Sequence, residues 1–127
     1  MQAQIDFERP DLAALLADMD EAALDALSFG VIGFDAENRV RRYNVVESQA
    51  AGLRPERVLA QDLFTVVAPC MNNFLVAQRF IDAREAGTGL DETINYVLTL
   101  RMRPTKVRLR LLSAPAAEFS YVLVQRL

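Results

Sequence analysis

The stretch "DLFTVVAPCMNN", residues 62–73, holds the only cysteine in the chain, Cys70. A lone thiol cannot close an internal disulfide. It is inert core, a nucleophile, or an attachment point for a group the sequence does not encode. A thioester needs a thiolate as attacking group, and the start of a helical turn favours that form. Cys70 follows Pro69, a residue suited to opening such a turn. A second pair of reactive groups stands in "RYNVVESQAAG". Tyr43 stands at a strand end, and Glu47 sits among Val45, Val46, Ala50 and Ala51, on a helix with little polar character. That setting turns Glu47 inward. A carboxyl buried without a cation has its pKa raised and stays protonated, so it donates a hydrogen bond to an anion, as a phenol does.

The chain contains no histidine. This excludes a Ser-His-Asp triad, a Cys-His thiol protease and histidine ligation of zinc or haem. With histidine absent as a proton carrier, an enzyme is not expected. A thiol enzyme or redox sensor using Cys70 is the weakest reading, because the chain has no resolving cysteine.

The elements that must position these groups follow from periodicity. "DLAALLADMDEAALDALS" reads as one or two short helices. Asp11 is a candidate N-cap, Leu12, Leu15, Leu16 and Met19 stand at helical spacing, and Leu24 and Leu27 share a side. The period then becomes that of a hairpin, with strands 29–34 and 39–43. Asn38 takes the left-handed residue of the turn between them. A short helix from Asn44 to Ala51 closes at Gly52. Pro55 opens another turn with Val58 and Leu59 inward, and Asp62 caps a turn over 63–67. "FLVAQRFIDAREAG" reads as the clearest helix, with Phe74, Val76, Ala77, Phe80 and Ile81 inward and Gly87 at its end. Strands over 93–102, 106–111 and 119–124 complete the chain. Strands and helices kept apart in sequence predict an α+β fold with a five-stranded antiparallel sheet, helices on one face and short N-terminal helices. The expected organisation is one domain over 1–127, with 1–28 as a helical cap and 29–127 as the core.

Of 127 residues, 52% are hydrophobic and only five each are Gly and Pro, which argues against disorder. No apolar run approaches the roughly 20 residues that span a bilayer. With one cysteine and no recognisable secretion signal, a reducing cytoplasm is the expected compartment and no membrane partner is expected. Net charge is −3, unevenly spread. Residues 1–38 hold nine acids and one base, whereas 101–110, "RMRPTKVRLR", hold five bases and no acid. Attraction between the two within the domain is one reading, and two solvated faces of opposite sign is the other. Nucleic acid is not an expected partner, since the basic stretch has no interleaved aromatics.

The order of elements is that of a PAS domain. The chain further resembles the photoactive yellow protein family almost end to end, through "MDEAALDALSFGVIGFDAENRVRRYN", "RYNVVE", "FTVVAPC", "MRPTKVRL" and "SYVLVQRL". The resemblance implies a blue-light photoreceptor. Cys70 of the VAPC motif would carry p-coumaric acid (4-hydroxycinnamic acid) as a thioester, and Tyr43 and Glu47 would hydrogen-bond its buried phenolate. Pro69, Tyr96, Leu98 and Met102 are expected near the same cavity. Light would isomerise the chromophore from trans to cis, and Glu47 would be the source of the proton the phenolate then takes. The resulting carboxylate, with no cation beside it, would loosen the N-terminal helices for a downstream signalling protein to read; a homodimer is a further option. Three features depart from the family pattern. Ala51 stands where a threonine supports the tyrosine, Leu53 stands where an arginine lies over the ring, and Leu98 leaves one aromatic fewer in the wall. One extra residue lies between Cys70 and Met102. The alternative is a PAS module without the chromophore, binding another small ligand or a protein.

Overall fold

The computed structural model describes residues 5–99 and 104–127. Two short helices come first, α1 (Leu12–Asp18) and α2 (Glu21–Asp25). The hairpin of β1 (Gly30–Phe34) and β2 (Val40–Tyr43) follows. Next come α3 (Val45–Ala51), α4 (Pro55–Val58), a wide turn over Leu63–Val67 and a tight turn over Pro69–Met71. The long helix α5 (Ala77–Ala86) leads into β3 (Leu90–Leu98), β4 (Thr105–Ser113) and β5 (Ser120–Arg126). The five strands form one antiparallel sheet in the order β2-β1-β5-β4-β3. The α+β class and sheet predicted from the periodicities are those observed.

Period-two alternation divides the sheet into two faces. Ile32, Phe34, Val107, Leu109, Leu111, Val122 and Val124 point to one side. There they pack under Val58, Leu63, Phe64, Met71, Val76 and Phe80 in the main core. Val31, Leu112, Tyr121 and Leu123 point to the other side, against Phe7, Leu12, Leu16, Leu24 and Leu27. The N-terminal helices therefore cover the face opposite α3–α5, so both faces of the sheet are buried.

Local chemistry sets most boundaries. Asn38 adopts φ 64° at the hairpin turn, and Gly52 and Gly87 close α3 and α5 at φ 71° and 66°. The Asp62 carboxylate accepts from the amides of Phe64 and Thr65 and so starts the wide turn. Asp11 stands at the N-cap of α1 without a side-chain cap bond, whereas Asp20 caps α2 by accepting from Ala23 N.

The long helix differs from its expectation. It begins at Ala77, not Phe74. Asn73 Oδ1 accepts from the amides of Leu75 and Val76, which holds residues 73–76 in a turn. Phe74 is left 83% exposed. Ile81 is also exposed, and Ala83 takes the inward position beside Phe80. Leu59, expected inward, is exposed at the end of α4 while Val58 is buried. In the last three strands, β3 starts three residues earlier than expected, and Leu100–Met102 lie outside the described residues. β5 runs past Val124 to Arg126. That extension changes the chemistry of the site.

Candidate functional site

Glu47 is 1% exposed. It lies in the first turn of α3, whose N-cap Asn44 is itself buried. Asn44 Oδ1 accepts from Val31 N and Glu47 N, and its amide nitrogen donates to Leu24 O and Phe29 O. One side chain thus ties β1, the end of α2 and the start of α3 together. It fixes which face of α3 meets the sheet. Glu47 then lies directly over Gly30. A Cβ at Gly30 would overlap the Glu47 carboxylate and come within 3.1 Å of its Cβ. Gly30 is needed because α3 approaches the strand so closely.

The Glu47 carboxylate has a cation. Arg126 donates Nη1 to Oε1 at 2.8 Å and Nη2 to Oε2 at 3.1 Å, a two-pronged pair. The expectation of a buried carboxyl without a counter-charge is therefore wrong. The alternation Val122, Val124, Arg126 places the guanidinium on the main-core face of β5. Ending the strand at Val124 hid it, though the same alternation in the sequence points to it. Burial pushes the Glu47 carboxyl up from its ordinary value, and the hydrogen bonds and charge of Arg126 pull against that rise.

Tyr43, at the end of β2, is half-buried against the main core. Its hydroxyl is pushed above the ordinary phenol range, first by burial and then by the Glu47 charge, with Arg126 opposing. Tyr43, Glu47 and Arg126 are thus one electrostatic cluster drawn from β2, α3 and β5. Among the described residues the Tyr43 hydroxyl has no hydrogen-bond partner.

Cys70 is the second residue of the tight turn Pro69–Met71, as its place after proline predicts. The thiol is free and half-buried, and its side chain packs on the margin of the main core, as do Tyr43, Leu53 and Tyr96. Pro69 is exposed at the first position of the turn, and Leu98 is buried within the core. Tyr96 reaches the Cys70 turn directly. Its hydroxyl donates to Cys70 O and accepts from Asn73 Nδ2 at 2.6 Å, and Asn73 Nδ2 also lies 3.2 Å from Cys70 O. Tyr96 therefore positions the thiol-bearing backbone, a role its sequence context did not reveal. Met102 lies outside the described residues. Ala51 is buried and Leu53 packs on the main core, so at these two departures the structure has apolar side chains.

The structure gathers Tyr43, Cys70, Tyr96 and Leu98 on one apolar core and places Tyr43 within electrostatic reach of Glu47 and Arg126. Among the described residues no group of acids, cysteines and histidines is arranged to hold a metal ion. No helix among them is long and apolar enough to cross a membrane.

No protein-family model matches the chain. It is 32% identical over 123 residues to the photoactive yellow protein of Halochromatium salexigens, covering 97% of this chain and 98% of that one. It is 30% identical over 122 residues to that of Rhodothalassium salexigens, covering 96% and 97%. In three dimensions it is similar to the photoactive yellow protein domain of the sensor histidine kinase Ppr from Rhodospirillum centenum. The TM-score there is 0.80 at 34% identity, over 88% of this chain and 97% of that domain. A PAS domain of an HTR-like protein from Haloarcula marismortui shares the fold at 11% identity and a TM-score of 0.60. The chain has the PAS fold and belongs to the photoactive yellow protein family.

Proposed function

We propose that this chain is a blue-light sensor that carries p-coumaric acid as a thioester on Cys70, rather than an enzyme. The observation that carries the reading is the half-buried free thiol on the same apolar core as the unpartnered Tyr43 hydroxyl, beside the Glu47–Arg126 pair. Family membership supports it.

When bound, the chromophore supplies a light-driven trans–cis isomerisation that moves a phenol oxygen between environments. The chain's residues supply the rest. Cys70 Sγ holds the acyl end, with Tyr96 and Asn73 fixing the backbone of its turn and Pro69 leading into it. Leu98, Leu53 and Val67 exclude water from the apolar middle. Tyr43 offers a hydroxyl donor at the far end. Glu47 holds a proton at its carboxyl when Arg126 is engaged elsewhere and gives it up when the ion pair re-forms. Because Arg126 stands beside it, the Glu47 carboxylate does not become an uncompensated buried charge. The N-terminal cap, whose described residues 5–28 lie on the opposite sheet face, is the element a downstream signalling protein reads.

Incubation with the activated anhydride of p-coumaric acid tests this. One adduct by intact mass and a visible band are expected, with neither in Cys70→Ala. Unchanged mass in the wild-type chain would favour a chromophore-free PAS module. The specific observation on that side is the closure of the ligand-facing carboxylate by Arg126.

A further inference from the structure

The guanidinium of Arg126 has spare capacity. It offers five N–H donors, and Glu47 takes two of them. Among the described residues the remaining donors have no hydrogen-bond partner. The side chain is 24% exposed, whereas the Glu47 side chain beneath it is almost wholly enclosed. The unpartnered Tyr43 hydroxyl stands close enough to feel both charges. One cation with free donors, a free hydroxyl donor and one carboxylate therefore meet at the edge of the apolar core.

We propose that Arg126 is the cation of the ligand site: it pairs with Glu47 in the ligand-free chain and receives the anionic ring oxygen of a bound phenolate, while Glu47 takes up one proton from solvent. This rests on the reading of the site as one for a phenolic acid.

Charge balance demands the proton. The empty cluster is neutral, with Glu47 negative, Arg126 positive and Tyr43 uncharged. Adding a phenolate would place two anions on one cation in a low-dielectric site. Protonating Glu47 restores neutrality and leaves its carboxyl a donor. Among the described residues no other charge acts on Glu47. β1 presents Gly30, β2 presents Tyr43, β5 presents Arg126, and the nearest acid on α2, Asp25, has its carboxylate on Val45 N. Arginine suits the task because its planar fork can hold one oxygen with two donors and stays charged throughout.

Reversible binding of p-nitrophenol, read by the phenolate absorbance, tests the assignment without the Cys70 chemistry. The set is wild type, Arg126→Gln, Arg126→Lys and Glu47→Gln. Arg126→Gln should weaken p-nitrophenolate binding tenfold or more, and Arg126→Lys should recover part of the loss. Glu47→Gln should bind more tightly than wild type, because the competing anion is gone. Wild-type binding should also weaken with rising pH as Glu47 resists protonation, and Glu47→Gln should lose that dependence. Equal binding in Arg126→Gln and wild type would overturn the proposal. So would Glu47→Gln weakening as much as Arg126→Gln, since Glu47 would then be the contact and Arg126 its support. Absence of p-nitrophenolate binding in wild type would overturn it too. Failure of the Cys70 adduct, read separately by mass, retires the thioester and leaves this series to decide Arg126.

Discussion

The two faces of the sheet are both held by arginines, but the partners differ in kind. On the cap face, Arg110 is 4% exposed and donates Nη1 to Phe7 O and Arg9 O, each at 2.8 Å, while its Nε and Nη2 grip Asp91. Arg42 donates Nη1 to Leu16 O at 2.6 Å and to the Tyr121 hydroxyl at 2.9 Å, and Nη2 to Met19 O. These acceptors are mostly backbone carbonyls, including those at the end of α1, where the chain has spare acceptors. The carbonyls among them carry no charge that can change. On the ligand face, Arg126 pairs with Glu47, whose charge can change. One face is latched by fixed acceptors and the other by a switchable one. The faces meet on β5. Arg126 points to the site, and its neighbour Gln125 accepts from Arg108, which also pairs with Glu8 and lies 5.5 Å over the Phe7 ring.

The largest effect that separates the two faces should come from Gly30→Ala. The new methyl would overlap the Glu47 carboxylate, so α3 must lift from β1. A loss of about 3 kcal/mol in urea unfolding is expected, at the upper end for overpacking. An effect near zero would show that α3 can slide away from the strand without cost.

Arg110→Met should come next, at about 2 kcal/mol, because two carbonyls and a carboxylate lose charged donors. Hydrogen exchange should rise over residues 5–18 and stay unchanged in α3. Equal rises on both faces would contradict their separate latching.

The Glu47 pair should show itself through pH. Its folded-state carboxyl is raised above the ordinary value, so its contribution is fully present below the unfolded value and is lost as pH rises through the folded one. Wild type should therefore gain stability relative to Glu47→Gln as pH falls from neutrality toward the ordinary carboxylate range, read as the change in the difference between urea midpoints. Arg110→Met, which leaves Glu47 and Arg126 in place, should follow wild type in this pH dependence.

The smallest effect should come from Glu8→Gln. This ion pair with Arg108 is exposed, and a loss under about 0.5 kcal/mol is expected, erased by salt. It is also where the charge asymmetry of the sequence was only partly informative. Of the basic stretch, Arg101 and Arg103 lie outside the described residues, and Lys106 is exposed. Arg108 meets one acid of the N-terminal segment, while Arg110 meets that segment's backbone rather than its acids.

Alternation and turn chemistry made the sheet legible, because side-chain period and special backbone angles are written locally. Asn38, Gly52 and Gly87 fall where those rules place them. Long-range pairings were not legible. Glu47 and Arg126 are 79 positions apart, and Arg42 and Leu16 are 26 apart, so no local window contains either contact. Gly30 did leave a signal, a glycine inside an apolar strand, which marks close approach of another element. Phe74 misled because apolar periodicity cannot tell a helix from a turn held by one asparagine.

The central claim is that charge exchange on the ligand face is felt by the cap on the other face, and light-dependent hydrogen exchange over residues 5–28 tests it most directly. The wild-type chain, carrying its p-coumaroyl group, should lose protection there on illumination and recover it in the dark, while Cys70→Ala treated identically should not respond. Unchanged protection of residues 5–28 in an illuminated chain whose visible band does bleach would contradict the account.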